Sequence, residues 1–83
     1  SIDTLLKLYK KNPTNLNNIL KLSNKYFVEK ETEEALDLLF NNYVKFKEKE
    51  KIKKAILNYF ELLGNNNEIT KSYRRKLSSI LFS

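Results

Sequence analysis

Apolar residues recur at three- and four-residue steps along most of this chain, the spacing that collects them on one face of an α-helix. Five such stretches are separated by short polar segments, and none shows the strict alternation of a half-buried β-strand. The pattern therefore predicts an all-α protein. Its helices are expected over residues 2–11, 16–28, 33–46, 49–63 and 68–82.

The polar segments carry the residues that begin and end helices. Pro13 lies in a turn where Thr14 or Asn15 can cap the second helix by accepting a backbone N–H bond. Thr32, which two glutamates follow, is expected to cap the third helix in the same way. Gly64, the only glycine, is expected to end the fourth helix because glycine reaches left-handed conformations without steric cost. The three asparagines after it form a turn and offer a cap.

Helices joined by such short connections pack as antiparallel neighbours, and here the hairpins repeat. The second helix carries a pattern similar to the first-helix signature of tetratricopeptide units. Its positions are Ile19, Leu22, Ser23 and Tyr26. Ala35 stands where the second helix of such a unit is also small, so the two backbones are expected to approach at Ser23 and Ala35. We therefore predict tetratricopeptide-type helix hairpins in one domain that spans residues 1–83.

The pattern recurs after the tetratricopeptide period of about 34 residues, in a degraded form. Leu57 takes the place of Ser23, and Ile69 takes the place of Ala35. The helices of this second unit are therefore expected to lie further apart or to cross differently. Pro13 holds the position that closes a repeat, which makes the first helix the second half of an earlier unit. We expect the chain to be a fragment of a longer protein.

The run 53–64 (KKAILNYFELLG), followed by Ile69 and the run 73–82 (YRRKLSSILF), resembles the closing signature of the chaperedoxins. These YbbN-type bacterial proteins are thioredoxin-like co-chaperones with a tetratricopeptide tail. Glu68 stands where that family often has a proline, and Lys53 stands where an arginine is usual. The resemblance implies that this domain is the C-terminal tail of a thioredoxin-like protein. It also implies that the tail binds unfolded client proteins and chaperones, including chaperonins.

Composition excludes several kinds of chemistry. The chain has no Cys and no His, so disulfides, thiolate catalysis, histidine acid–base catalysis and zinc sites with nitrogen or sulfur ligands are excluded. Several of its carboxylates cluster at the start of the third helix, where they complement the helix dipole. We expect no enzyme activity and no cofactor. No apolar run reaches the length of a membrane span, so we expect a soluble cytoplasmic protein without a membrane partner.

The formal net charge of +6 leaves a second interpretation open. Lysine and asparagine are frequent along the whole chain, and such a bias raises the charge without selecting a ligand. The alternative is sequence-independent nucleic-acid binding through residues 45–54 and 71–76. Counterion release would make such binding weaken steeply with salt.

Tetratricopeptide units usually bind extended peptides along the surface that their first helices form. In this register the candidate residues on that surface are Asn17, Lys21, Asn24, Lys51, Lys54 and Asn58. The set resembles the lysine and asparagine clamp with which some tetratricopeptide domains hold a terminal carboxylate. Chance placement is the alternative, because lysine and asparagine are the commonest polar residues of the chain.

The last helix carries the only two arginines, Arg74 and Arg75, within a basic cluster. The cluster is interpreted as an anion site, as a solvated charged face, or as arginines paired with Glu61, since the guanidinium fork suits bidentate pairing. Phe46 and Phe82 lie near helix ends and, if exposed, are the candidates for apolar client contact. Dimerisation through the first helix is a further expectation, because a half-open stack leaves apolar end surfaces.

Overall fold

The computed structural model describes all residues, Ser1–Ser83, and contains five α-helices and no strand. The helices are α1 (Ile2–Lys11), α2 (Leu16–Val28), α3 (Thr32–Lys45), α4 (Glu50–Leu63) and α5 (Glu68–Leu81). The all-α prediction is confirmed, and its helix ends differ from the observed ones by one residue at α3, α4 and α5.

Two asparagines and the glycine act at the helix ends as the turn pattern indicates. The Asn15 side-chain oxygen accepts from the backbone N–H of Asn18 at 3.0 Å, at the start of α2. The Asn67 side-chain oxygen accepts from the N–H of Ile69 at 2.8 Å, at the start of α5. Gly64 ends α4 with φ of +92°, a conformation that side chains rarely adopt.

Backbone hydrogen bonds form the turn between α2 and α3. Lys30 adopts a left-handed conformation with φ of 68°. Its N–H donates to the Phe27 carbonyl at 3.1 Å, and the Glu31 N–H donates to the Tyr26 carbonyl at 2.8 Å, which together form a Schellman motif. The predicted cap at Thr32 is wrong: Thr32 is already helical, and Glu31 precedes α3 without a side-chain cap.

A single apolar core joins α2 to α5, with α3 at its centre. The buried core residues are Ile19, Ala35, Leu36, Leu39, Phe40, Tyr43, Ile52, Ile56, Tyr59, Phe60, Tyr73 and Leu77. Helix α1 contributes no buried residue and packs mainly along α2. The Asn42 side chain, 2% exposed, donates to the Tyr9 hydroxyl at 3.2 Å and so connects α3 to α1.

The α2–α3 and α4–α5 hairpins differ in the distance between their helices, as the degraded second repeat predicts. Helices α2 and α3 approach closely along their length, and both Ser23 and Ala35 are fully buried there. The backbones of α4 and α5 approach much less, and Leu57 is 41% exposed. Helix α5 contacts α3 instead, since the Tyr73 hydroxyl donates to Asp37 Oδ1 at 2.8 Å.

The end of α3 is stabilised by a lysine from the following turn. The Lys49 ammonium donates to the main-chain carbonyls of Tyr43 and Phe46 and lies 5.2 Å from the centre of the Tyr43 ring. These carbonyls carry the negative end of the helix dipole. Phe46 is partly buried against the core, so it does not meet the condition of exposure set for a client contact. Phe82 is 86% exposed and does meet it.

The left-handed Lys30 offers a test of the turn. Lys30→Gly is expected to raise the free energy of unfolding by about 0.5 to 1 kcal/mol, because glycine adopts positive φ without a Cβ penalty. Urea unfolding followed by circular dichroism would measure the change. Lys30→Ala is the control, since alanine keeps the penalty while removing the charge; an equal gain from Lys30→Ala would contradict the account.

The raised pKa of Tyr73 predicts that the free energy of unfolding depends on pH. Burial, the hydrogen bond to Asp37 and the charges of Asp37, Glu33 and Glu34 raise the pKa of Tyr73 well above its usual value of about 10. A raised folded-state pKa stabilises the fold fully below the unfolded value, and this contribution is lost as the pH rises above about 10. Tyr73→Phe is therefore expected to lower stability at pH 7 and to flatten the decline above pH 10.

Unfolding midpoints measured between pH 7 and 11 would test this. Tyr43→Phe is the matched control, because the Tyr43 hydroxyl has no hydrogen-bond partner in the chain. Lysine titration affects both variants alike. Parallel pH profiles for Tyr73→Phe and Tyr43→Phe would contradict the assignment.

Candidate functional site

A shallow depression of about 430 Å³ lies between α2 and α4. Leu20 of α2 and Ala55 of α4 contribute its apolar part, and Lys51, Lys54 and Asn58 of α4 contribute its polar part. The lysines and Asn58 share one face because they lie three and four residues apart on α4. The depression therefore combines a small apolar floor with two ammonium groups and an amide.

Aromatic packing holds α2 against α4 beside this depression. The rings of Phe27 and Tyr59 stack with centroids 4.4 Å apart and planes inclined by 7°. The Ser23 hydroxyl donates to the Leu20 carbonyl at 3.0 Å and lies 3.4 Å from the Tyr59 hydroxyl. Burial raises the pKa of Tyr59, and its hydrogen bond with Ser23 opposes part of that rise. The phenol therefore stays neutral at physiological pH and keeps this hydrogen bond.

The two lysines of the depression are available to an anionic ligand. Lys51 and Lys54 are exposed and form no ion pair within the chain, whose three ion pairs involve other cations. Glu50 and Glu61 line adjoining depressions and limit the positive potential on either side. An extended ligand would therefore meet positive charge along the first two turns of α4, with Glu50 before it and Glu61 beyond it.

The structure divides the six predicted clamp residues. Lys51, Lys54 and Asn58 line the α2–α4 depression, whereas Lys21 and Asn24 line a second depression next to α1. Asn17 is exposed and lines neither one. The reason is local: α2 presents Leu20 toward α4, which places Lys21, one residue further, on the side toward α1. The six residues do not form one cleft.

The arginines do not form the pairing with Glu61 that was one of the three interpretations of this cluster. Arg74 donates to Asn65 Oδ1 at 3.1 Å and lies 5.3 Å from the centre of the Phe60 ring. Arg75 is exposed and forms no ion pair. Arg74 therefore covers the second hairpin rather than forming an open anion site.

The other cations of the basic cluster are also occupied within the chain. Lys71 pairs with Glu68 at 3.2 Å. The Lys76 ammonium lies 5.3 Å from the Phe40 ring centre and 4.0 Å from Asp37 Oδ1. These contacts reduce the free positive charge that α5 could offer to a phosphate backbone.

Sequence reasoning missed several exposed apolar residues, of which Val28 and Leu62 are the most exposed. Val28 and Leu62 occupy equivalent places at the ends of α2 and α4 and are 63% and 64% exposed. Their shared repeat position could have identified them, since neither lies on the buried face of its helix. The same register could have identified Leu20 and Ala55 as the apolar floor.

No three Asp or Glu side chains lie close enough together to hold a metal ion. None of the five helices has the length and apolar character needed to cross a membrane. A family sequence profile described as tetratricopeptide repeat matches residues 1–82. No curated protein and no solved structure gives a significant match.

Proposed function

The chain belongs to the tetratricopeptide repeat family, and on that premise we propose that it binds an extended acidic segment of another protein in the α2–α4 depression. Tetratricopeptide repeats generally mediate protein–protein interactions and are typically non-catalytic modules. The proposal depends on one observation: Lys51 and Lys54, which form no ion pair within the chain, lie beside an apolar floor.

Each part of the depression has a role in such binding. Carboxylates of the segment pair with Lys51 and Lys54, and the Asn58 amide hydrogen-bonds its backbone. An apolar side chain rests on Leu20 and Ala55. The site is open and the lysines are solvated, so each ion pair contributes little and the binding weakens with salt.

The partner proposed for this surface is a client protein or a chaperone. The resemblance of 53–64 and 73–82 to the closing signature of chaperedoxins supports a role as the tail of a thioredoxin-like co-chaperone. Unfolded clients expose extended apolar and charged segments together, which matches the composition of the depression. The chain has no cysteine, so redox chemistry would belong to the thioredoxin-like part of the longer protein proposed here.

Nucleic acid is the weaker candidate partner. Of its proposed segments, 71–76 has Lys71, Arg74 and Lys76 engaged with neighbouring side chains, and Lys49 of 45–54 caps α3. Of the lysines in 45–54 that form no ion pair, Lys51 and Lys54 flank an apolar floor, which suits a peptide better than a phosphate backbone.

Removing the two lysines tests the peptide site. Lys51→Ala/Lys54→Ala is expected to weaken binding of a labelled eight-residue peptide of Asp, Glu and one Leu by at least about fivefold, measured by fluorescence anisotropy at low salt. Lys7→Ala/Lys11→Ala on α1 is the matched control, because it makes the same change in net charge away from both depressions. Equal losses in the two variants would mean that net charge alone attracts the peptide.

The co-chaperone role is tested by client aggregation. The chain is expected to reduce light scattering from a chemically denatured client, or to retain a chaperonin on a column in low salt. Phe82→Ser is expected to weaken these effects, because Phe82 is 86% exposed and apolar. Val44→Ser, at a residue 56% exposed on α3, is the control. A folded chain that neither suppresses aggregation nor retains a chaperonin would refute the co-chaperone role.

A further inference from the structure

The solvent-facing side of α4 carries charges of both signs next to the proposed peptide site. A depression of about 240 Å³ is lined there by Lys54, Leu57, Asn58 and Glu61. Lys54 and Asn58 also line the α2–α4 depression, so the two depressions adjoin each other. A segment bound between α2 and α4 can therefore extend over Leu57 to Glu61.

Glu61 is a carboxylate without a cation of its own. It is exposed and takes part in none of the three ion pairs of the chain. Charged residues near a helix meet partners three or four positions away, and around Glu61 these positions hold Leu57, Asn58, Gly64 and Asn65. None of the four is basic, so the charge of Glu61 is available to a ligand.

The acidic residue at the other end of the site differs in this respect. Glu50 lies in the first turn of α4, where its charge complements the helix dipole. Lys53 and Lys54 follow it by three and four residues, and all three line one depression. The dipole and two neighbouring cations therefore offset the charge of Glu50, whereas no such neighbour offsets that of Glu61.

We propose, on the basis of the proposed function, that Glu61 selects a basic residue within the acidic segment that binds the α2–α4 depression. The ligand then carries mixed charge, with carboxylates on Lys51 and Lys54 and one cation on Glu61. Leu57, which is 41% exposed, lies between Lys54 and Glu61 in the sequence of α4 and lines the same depression. It supports the methylene stem of the basic side chain while the charged head pairs with the carboxylate.

Helix geometry sets the spacing of the charges in this ligand. Along the axis of α4, Lys51 lies about 4.5 Å from Lys54 and about 15 Å from Glu61, at about 1.5 Å per residue. In an extended segment, side chains on one face repeat every two residues, or about 6.6 Å. Acidic residues at the first and third places therefore reach the two lysines, and a basic residue at the fifth place, about 13 Å from the first, reaches Glu61.

A uniformly acidic segment suits this surface less well. Its carboxylate at the fifth place would lie against the carboxylate of Glu61, and such a like-charge contact disfavours the wrong ligand. The net charge of +6 attracts any acidic segment without regard to its pattern. Glu61 therefore provides a selection among acidic ligands that the net charge cannot provide.

The probes are two peptides with blocked ends, Glu-Leu-Glu-Ala-Lys and Glu-Leu-Glu-Ala-Gln, called the lysine and glutamine peptides. Each is also made in the reverse order, because side chains alone do not set the direction of the segment, and the order that binds more tightly is used. Binding to the intact chain is measured from the shifts of the α4 backbone amide resonances. The lysine peptide is expected to bind at least about twofold more tightly, although net charge favours the glutamine peptide.

Charge reversal at Glu61 tests the selection directly. Glu61→Lys is expected to weaken the lysine peptide by at least about threefold and to reverse the preference between the peptides, which a misfolded variant could not do. Glu34→Lys on α3 is the matched control, because it makes the same change in net charge at an exposed residue that lines none of the depressions. This control is expected to keep the preference for the lysine peptide.

The variants also separate a failure of the selection from a failure of the peptide site. Equal binding of the two peptides would overturn the selection by Glu61, and so would an equal change of both in Glu61→Lys. The peptide site itself would stand in that case if Lys51→Ala/Lys54→Ala weakened both peptides. A reversal caused by Glu50→Lys and not by Glu61→Lys would place the basic residue at the other end of α4 and would also overturn the selection. Binding that does not depend on Lys51 and Lys54 would refute the peptide site and the selection together.

Discussion

The close crossing of α2 and α3 at Ser23 and Ala35 positions the other elements of this domain. Both residues are fully buried, and their small size lets the two backbones approach. The Ser23 hydroxyl donates a hydrogen bond to the Leu20 carbonyl and lies within hydrogen-bond distance of the Tyr59 hydroxyl of α4. One small polar residue therefore joins three helices without leaving a buried donor unpaired. A bulkier residue at either position would separate the hairpin and displace α4 from its contact with Phe27.

The second hairpin lacks this crossing and is held by other means. The backbones of α4 and α5 approach little, and α5 attaches to α3 through the hydrogen bond from Tyr73 to Asp37. The Tyr73 ring also meets the edge of Phe40, with centroids 5.6 Å apart. The outer side of α4 is consequently uncovered, which exposes Leu57 and Leu62 beside the proposed peptide site.

Basic residues occur along the whole sequence, but they have different roles in the structure. Lys49, Lys76 and Arg74 cap a helix or lie over aromatic rings, where they stabilise the fold. The lysines that line the two depressions flank small apolar surfaces, and of these Lys25 alone forms an ion pair. The two depressions lie on opposite sides of α2. Tetratricopeptide units generally mediate protein–protein interactions.

The sequence by itself determined the class, the five helices, the repeat and the small residues at the crossing. Helical periodicity, asparagine caps and Gly64 act locally, so their meaning is readable without knowledge of the fold. Tertiary structure decided the rest. The left-handed turn at Lys30 and the reach of the Lys49 ammonium back to the carbonyls at the end of α3 depend on how the chain folds at these turns. Neighbouring residues on a helix point in directions about 100° apart, and the packing of α1 and α4 on either side of α2 decides that Leu20 lies beside Lys54 while Lys21 lies beside Leu5.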